Sequence, residues 1–340
     1  MANNLDEINK SCGNYLDTVH ALLCFISLVC WERTPEPYFS FGRRMHTSPQ
    51  NRIKKEEEVT PDAVIQLTNN IGLIIETKAS LPENASFWRK EADQIIKYDD
   101  NLKGWWTTDE YITDYNVVVL IEITKSLEFN SYVLELQANG EITLGDAICG
   151  ISFVRTQRLT EQIYFQPLWG RTKDSALSSK LKNGMPIPLE KVKVSYGNIK
   201  FYDHEPDVEH LIAVMWNDVF ITKKDPSNFD PETKRYLISV EVNALAHELQ
   251  RSFGCIAIRR TPADTQREQH REVEFPKISW VRRALDFLTT IGYAERRSEN
   301  EYTVLYRLIR KDLIEHFASK RIKEKKRKPE EKEPTLFDES

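Results

Sequence analysis

Two short runs of β-forming residues, Asp62-Ala-Val-Ile-Gln-Leu67 and Gly72-Leu-Ile-Ile-Glu-Thr77, flank Asn69-Asn70, and this arrangement constrains the chain more than any other. Asparagine favours turns, so the two runs are expected to fold back on each other as an antiparallel hairpin. Side chains alternate along a strand, which sends Glu76 and Lys78 to one side and Thr77 to the other. A turn at Asn69-Asn70 brings Asp62 within about one or two residues of the position opposite Glu76. Two carboxylates and one ammonium therefore meet at the open end of the hairpin. Neighbouring carboxylates repel, and a divalent cation relieves the repulsion. Hard oxygen ligands suit magnesium or manganese. Such a cation binds a phosphate oxygen and acidifies a bound water. A nearby lysine balances the charge that builds on the phosphate. The chemistry implied is phosphodiester hydrolysis.

The flanking segments read as an α/β fold. Residues 5–31 have helical character and end in the apolar run Ala21 to Trp31, with Pro35 and Pro37 beyond it. Tyr38 to Gly42 reads as a strand, Phe87 to Tyr98 as a helix and Asn116 to Ile123 as a buried strand. The order is helix, strand, hairpin, helix, strand. Further on, Tyr132 to Leu136 and Ile163 to Leu168 are expected strands, and Val208 to Phe220 an expected helix. Asp225-Pro226 and Asp230-Pro231 mark a boundary, followed by an expected long helix over roughly 231–252. Ile278 to Ile291 reads as a second helix, closed by Gly292, and Tyr293 to Leu308 as a hairpin about Ser298-Glu299-Asn300.

Thr60-Pro61-Asp62, then Glu76-Thr77-Lys78, resembles the PD-(D/E)xK nuclease superfamily, and the element order resembles its restriction-endonuclease-like core. The resemblance covers residues 1–125. It implies a cation held by Asp62, Glu76 and the carbonyl of Thr77, with Lys78 serving the attacking water. Gln94-Ile-Ile-Lys-Tyr98 resembles the Gln-x-x-x-Tyr of the RecB-like branch, which implies that Gln94 and Tyr98 help hold the site and the DNA. Glu32, at the end of the first helix, is the candidate for an additional metal-holding carboxylate. The helix, helix, hairpin order of 225–310 resembles a winged helix. The expected organisation is a nuclease core over 1–125, a mixed α/β middle region over 126–224, a winged-helix-like DNA-binding domain over 225–310 and a charged tail over 311–340.

The net charge of −5 does not by itself announce a nucleic-acid partner. Residues 251–311, however, carry 13 Lys or Arg against 8 Asp or Glu, a local +5. Arg282 and Arg283 on the second helix, and Arg296 and Arg297 at the wing, are expected to reach DNA. Arg43 and Arg44, just before the hairpin, are candidates for backbone phosphates. Five cysteines without a CxxC pair argue against a disulfide framework or a zinc site and fit a reducing, cytoplasmic setting. No run of about 18 apolar residues occurs, so no membrane span is expected. His247-Glu248 lacks the second histidine of a zinc-protease motif, Arg251 standing in its place. Asp203-His204-Glu205, with Asp207, Glu209 and His210, reads as a solvated helix start, with metal binding as the alternative. Glu333-Pro-Thr-Leu-Phe337 resembles a sliding-clamp-binding peptide, so the tail is a candidate for docking a clamp or another protein. A homodimer is a further expectation. The reading is thus a magnesium- or manganese-dependent DNA endonuclease; a non-catalytic DNA-binding regulator and an RNA-cleaving enzyme are the alternatives.

Overall fold

The computed structural model describes residues 2–30, 33, 37–47, 57–67, 71–78, 88–98, 102–106, 114–141, 147–157, 160–196, 198–254 and 274–327. It is a mixed α/β structure of two compact units, one comprising 14–205 and 247–277, the other 1–13, 206–246 and 278–340. Helices α1 (Ala2–Cys30) and α7 (Val242–Phe253) contribute residues to both.

The larger unit is built on a seven-stranded sheet. Its strands are β1 (Tyr38–Phe41), β4 (Ala63–Gln66), β5 (Ile71–Lys78), β6 (Asp114–Glu122), β7 (Ile148–Gln157), β8 (Glu161–Trp169) and β9 (Met185–Pro188), in that spatial order. A two-residue pairing of β2 (Met45–His46) with β3 (Glu58–Val59) stands apart. The three central strands β5, β6 and β7 run parallel, and the outer pairs run antiparallel. Parallel neighbours need a crossover. Helix α2 (Trp88–Lys97) lies between β5 and β6 in the chain, and α3 (Ile123–Ala138) between β6 and β7. Both faces of the sheet are covered, which is why Val117 to Ile121 reads as a continuous apolar run. Val118 and Leu120 join Leu73, Ile75 and the apolar end of α1 on one face, with α4 (Ser175–Leu181) and α5 (Leu189–Tyr196). Val117, Val119 and Ile121 face Trp88 and Ile95 of α2 and Phe129 and Val133 of α3. Each fully buried aliphatic or aromatic side chain contributes about 1.5–3 kcal/mol.

The expected hairpin is β4–β5, with Ala63 opposite Ile75; its turn, Asn69-Asn70, lies outside the described residues. Residue 125 does not end this unit, because β7, β8 and β9 extend the same sheet. The expected strand Tyr132–Leu136 lies within α3. Glu122 caps that helix by accepting from the Thr124 N–H at 2.8 Å, and Ser126, Phe129, Val133 and Leu136 recur on one buried face. Helical periodicity over 16 residues outweighs β propensity over five. By length and composition, the Leu5–Cys30 part of α1 is apolar enough to cross a membrane; 67% of its most apolar window is buried inside the protein, as in a core helix.

The smaller unit opens with α6 (Val208–Val214), continued by a π-helical turn at Met215–Val219 and a 3-10 turn at Phe220–Lys223. Four strands follow in the spatial order β10 (Phe229–Asp230), β11 (Arg235–Glu241), β13 (Glu301–Tyr306) and β12 (Ala294–Arg296), with α8 (Ile278–Thr290) and α9 (Leu313–Arg327). The expected helix over 231–252 is therefore half strand. Tyr236 to Glu241 pairs with Glu301 to Tyr306, and Glu241 then caps α7 by accepting from the N–H groups of Asn243 and Ala244. Trp216 fills the core among Tyr293, Tyr306 and Phe317, its indole N–H donating to the Arg307 carbonyl at 3.0 Å.

Candidate active site

The hairpin register carries the first half of the site. With Ala63 opposite Ile75, Asp62 stands across from Glu76. Asp62 Oδ2 accepts the Thr77 N–H at 2.6 Å, where β4 supplies no backbone acceptor. A hydrogen bond to a charged group contributes about 1.5–3 kcal/mol and fixes this oxygen. Asp62, Glu76 and Lys78 are all buried, with Glu76 only 1% exposed.

Lys78 and α2 build the second half. Lys78 Nζ lies 2.9 Å from Glu76 Oε1, 2.5 Å from Glu91 Oε2 and 3.4 Å from Gln94 Oε1. Gln94 Nε2 donates to the Tyr98 hydroxyl at 3.1 Å, and that hydroxyl donates to Glu76 Oε2 at 3.0 Å. Glu91 and Gln94 of α2, and Tyr98 in the turn just past its end, meet at the strand ends. Trp88, Ala92 and Ile95 form its buried apolar face. Burial pulls the Lys78 ammonium down, but Glu76 and Glu91 more than offset it, so Lys78 stays protonated. Burial pushes Glu76 up to about 7; the Asp62 charge adds to this and Lys78 opposes it. Burial, reinforced by Glu76, raises the Tyr98 phenol, so it remains a donor.

A third group of residues comes from beyond the sheet. Asp203 and His204, expected as part of a solvated helix start, stand at Asp62. His204 Nδ1 is 2.9 Å from Asp203 Oδ1 and 3.3 Å from Asp62 Oδ1. The second distance is that of an ion pair without hydrogen-bond geometry, so the buried Asp62 Oδ1 keeps no hydrogen-bond partner. Burial lowers the imidazole, and the Asp203 and Asp62 carboxylates outweigh that and raise it well above its usual range. In the metal-free protein the imidazolium thus acts as an internal counter-ion to two carboxylates; as a metal ligand His204 would give up its Nδ1 proton. Burial, together with the Asp203 charge, raises Asp62. Among the described residues, donor atoms of Asp62, Asp203 and His204 all lie within 4.8 Å of one another, so these three could hold a metal ion.

Tyr15 of α1 sets the position of this segment. Its hydroxyl accepts the Tyr202 N–H and donates to the His204 carbonyl, both at 3.2 Å, and its ring lies 4.9 Å from that of Tyr202. Gly42, in the left-handed region at φ +57°, lets the chain pass close by. A Cβ there would meet the Phe275 ring at 2.7 Å and Asp203 Cβ at 3.1 Å.

Other expected residues fall elsewhere. Glu32, the candidate for an additional carboxylate, lies outside the described residues, as does the Glu333–Phe337 peptide. Arg43 is not available to phosphate. It is 0% exposed, donates from Nε to the Gly104 carbonyl at 2.6 Å and stacks 4.0 Å from the Trp106 ring. A guanidinium in that setting holds a loop rather than a ligand. Arg44 remains exposed, 3.8 Å from Glu58. Trp280 of α8 is buried in the core. Arg282 donates to Asn300 Oδ1 at 2.8 Å; Arg296 lies 3.9 Å from Asp286, and Arg297 lies 2.7 Å from Glu295. Arg283 is exposed on α8.

No family model matches this chain, nor does any curated protein or solved structure.

Proposed function

We propose that this chain is a divalent-cation-dependent DNA endonuclease with a PD-(D/E)xK-like, restriction-endonuclease-like core and a winged-helix-like DNA-binding element. The observation that carries the reading is the convergence of Asp62, Glu76 and Lys78 at one hairpin end, with Gln94 and Tyr98 of the next helix bonded to the same carboxylate and ammonium. Buried like charges of this kind cost stability, and a chain with no use for them has no reason to gather them. The orphaned Asp62 Oδ1 fits a cation. Asp62, Glu76 and the Thr77 carbonyl are the residues the resemblance assigns to it. When bound, the cation supplies Lewis-acid activation of a water and of a phosphate oxygen.

The chain's own residues do the rest. Lys78 stays protonated beside Glu76 and Glu91, so it acts as a donor to water or phosphate and not as a general base. Glu91 and Gln94 are positioning residues that fix where its ammonium sits. Tyr98 holds Glu76 Oε2 and so fixes the orientation of that carboxylate. In the smaller unit the chain order α6, β11, α7, α8, β12, β13 and the pairing of β13 with both β11 and β12 favour the winged-helix reading. In that reading α8 and the wing, with Arg282, Arg283, Arg296 and Arg297, meet DNA.

The test is nicking of supercoiled plasmid with magnesium or manganese, with and without chelator. Wild type should cut only with the cation. Asp62→Asn, Glu76→Gln and Lys78→Met should each reduce cutting by roughly 100-fold or more, without additivity. DNA that is bound but never cut under any cation would replace this reading with a non-catalytic DNA-binding protein.

A further inference from the structure

We infer that Asp203 and His204 complete a mixed nitrogen and oxygen site with Asp62, and that this site selects a divalent transition-metal ion of the manganese class over magnesium. This rests on the cation-dependent reading above and gives it the identity of the metal and, in place of Glu76 and the Thr77 carbonyl, two ligands that lie outside the hairpin motif.

Three observations lead there. First, the two oxygens of Asp62 have different roles: Oδ2 is taken by the Thr77 N–H, while Oδ1 is buried and has no hydrogen-bond partner. A buried carboxylate oxygen left in this state normally has a proton donor or an ion to satisfy it. Second, His204 Nδ1 stands 3.3 Å from that oxygen, and one donor atom each from Asp62, Asp203 and His204 lie within 4.8 Å of one another. They come from a segment fixed at both ends by one hydroxyl, Tyr15, through the Tyr202 N–H and the His204 carbonyl. Pre-positioned ligands lose little entropy on binding. Third, the His204 side chain is 56% exposed even though its Nδ1 edge faces two carboxylates. An ion has a route in from solvent, and three protein ligands leave other coordination positions for water or a phosphate oxygen.

The donor set then chooses the metal. Magnesium favours oxygen ligands and near-ideal octahedral geometry, and it gives up its waters reluctantly. Imidazole suits softer, more adaptable ions, and affinity rises along the first transition series from manganese onwards. Glu76 is engaged separately, its two oxygens taken by Lys78 and Tyr98.

The experiment is manganese titration of the full chain in the absence of nucleic acid, followed by the loss of the free-ion electron paramagnetic resonance signal. One manganese per chain should bind, and magnesium should displace it only at a large excess. Pulsed spectra should show nitrogen coupling from an imidazole. His204→Ala should abolish that coupling, and His204→Ala and Asp203→Asn should each weaken binding by more than about 100-fold, beyond the roughly 10–100-fold loss typical of a supporting residue. Circular dichroism confirms that the variants are folded, and the half-exposed His204 position makes the alanine variant the safer of the two. Equal competition by magnesium, absence of nitrogen coupling, or wild-type affinity in both variants overturns the inference. Plasmid assays separate it from the nuclease reading. Manganese bound as described with plasmid left intact removes the nuclease and keeps the metal site. Cleavage with unaltered metal affinity in His204→Ala does the reverse. A chain that binds no cation overturns both.

Discussion

Glu76 is a buried carboxylate whose burial and neighbouring Asp62 carry its pKa from the ordinary 4.5 up to about 7. A group with a raised folded pKa stabilises the fold fully below its unfolded value and loses that contribution as pH rises through the folded one. The metal-free protein should therefore lose on the order of 3 kcal/mol between about pH 4.5 and 7 from this residue. His204 shifts in the same direction and extends the decline above neutrality. Urea unfolding in chelator across that range should show the slope, and Glu76→Gln should flatten it; an equally steep slope in the variant would remove Glu76 as its source. Arg43 makes the opposite case. Arg43→Ala deletes a stacked, hydrogen-bonded and fully buried guanidinium and should cost about 2–4 kcal/mol, while the salt dependence of DNA binding stays as in wild type. At this scale the sequence showed Asp62, Glu76 and Lys78 because hairpin register is local. It also held a signal for Glu91, which stands three residues before Gln94 and seven before Tyr98 at helical spacing, and which went unused. Burial of Arg43 was not legible, since its partners Gly104 and Trp106 lie some sixty residues away.

Among the elements, those with long apolar periodicity were readable and those defined by distant partners were not. The β4–β5 hairpin, α2, β6, α8 and the β12–β13 hairpin stand where their patterns placed them. The α3 segment contains a five-residue β-like stretch that a capped helix absorbs. β11 was hidden inside an apparent helix because its partner β13 lies more than sixty residues further along. Asp203-His204 read as a helix start with metal binding as the alternative, but its place beside Asp62 was not legible, because Tyr15 determines where it sits. Tyr15→Phe removes the hydroxyl shared by the Tyr202 N–H and the His204 carbonyl. A buried donor left unmatched costs about 1–3 kcal/mol. The variant should lose that much stability by denaturant unfolding and should also bind manganese more weakly. Unchanged stability together with unchanged affinity would mean that the segment holds its place without Tyr15.

For the molecule as a whole, the division of the chain was the least legible property. Strands β7, β8 and β9 join the sheet by pairings that composition does not announce, and the smaller unit draws residues from three separate stretches. The local +5 of residues 251–311 suggested a DNA-binding face, yet three of the arginines described there have acidic or polar neighbours: Arg282 has Asn300 and Glu299, Arg296 has Asp286, and Arg297 has Glu295. Such pairs must loosen before a phosphate takes their place, and the phosphate's counterion release is offset by the lost surface pair, itself worth about 0–1 kcal/mol. The Arg282→Ala/Arg283→Ala double variant should weaken DNA binding and reduce the slope of log affinity against log salt by no more than about 2, since each phosphate contact contributes roughly 0.9. The nicking rate at saturating DNA should change little, because the residues around Lys78 are untouched. Gel-shift titration at several salt concentrations, beside single-turnover nicking, checks both halves. An unchanged slope with unchanged affinity would make α8 and its wing a protein-docking surface and leave DNA contact to the larger unit, where the exposed Arg44 is the next residue to test.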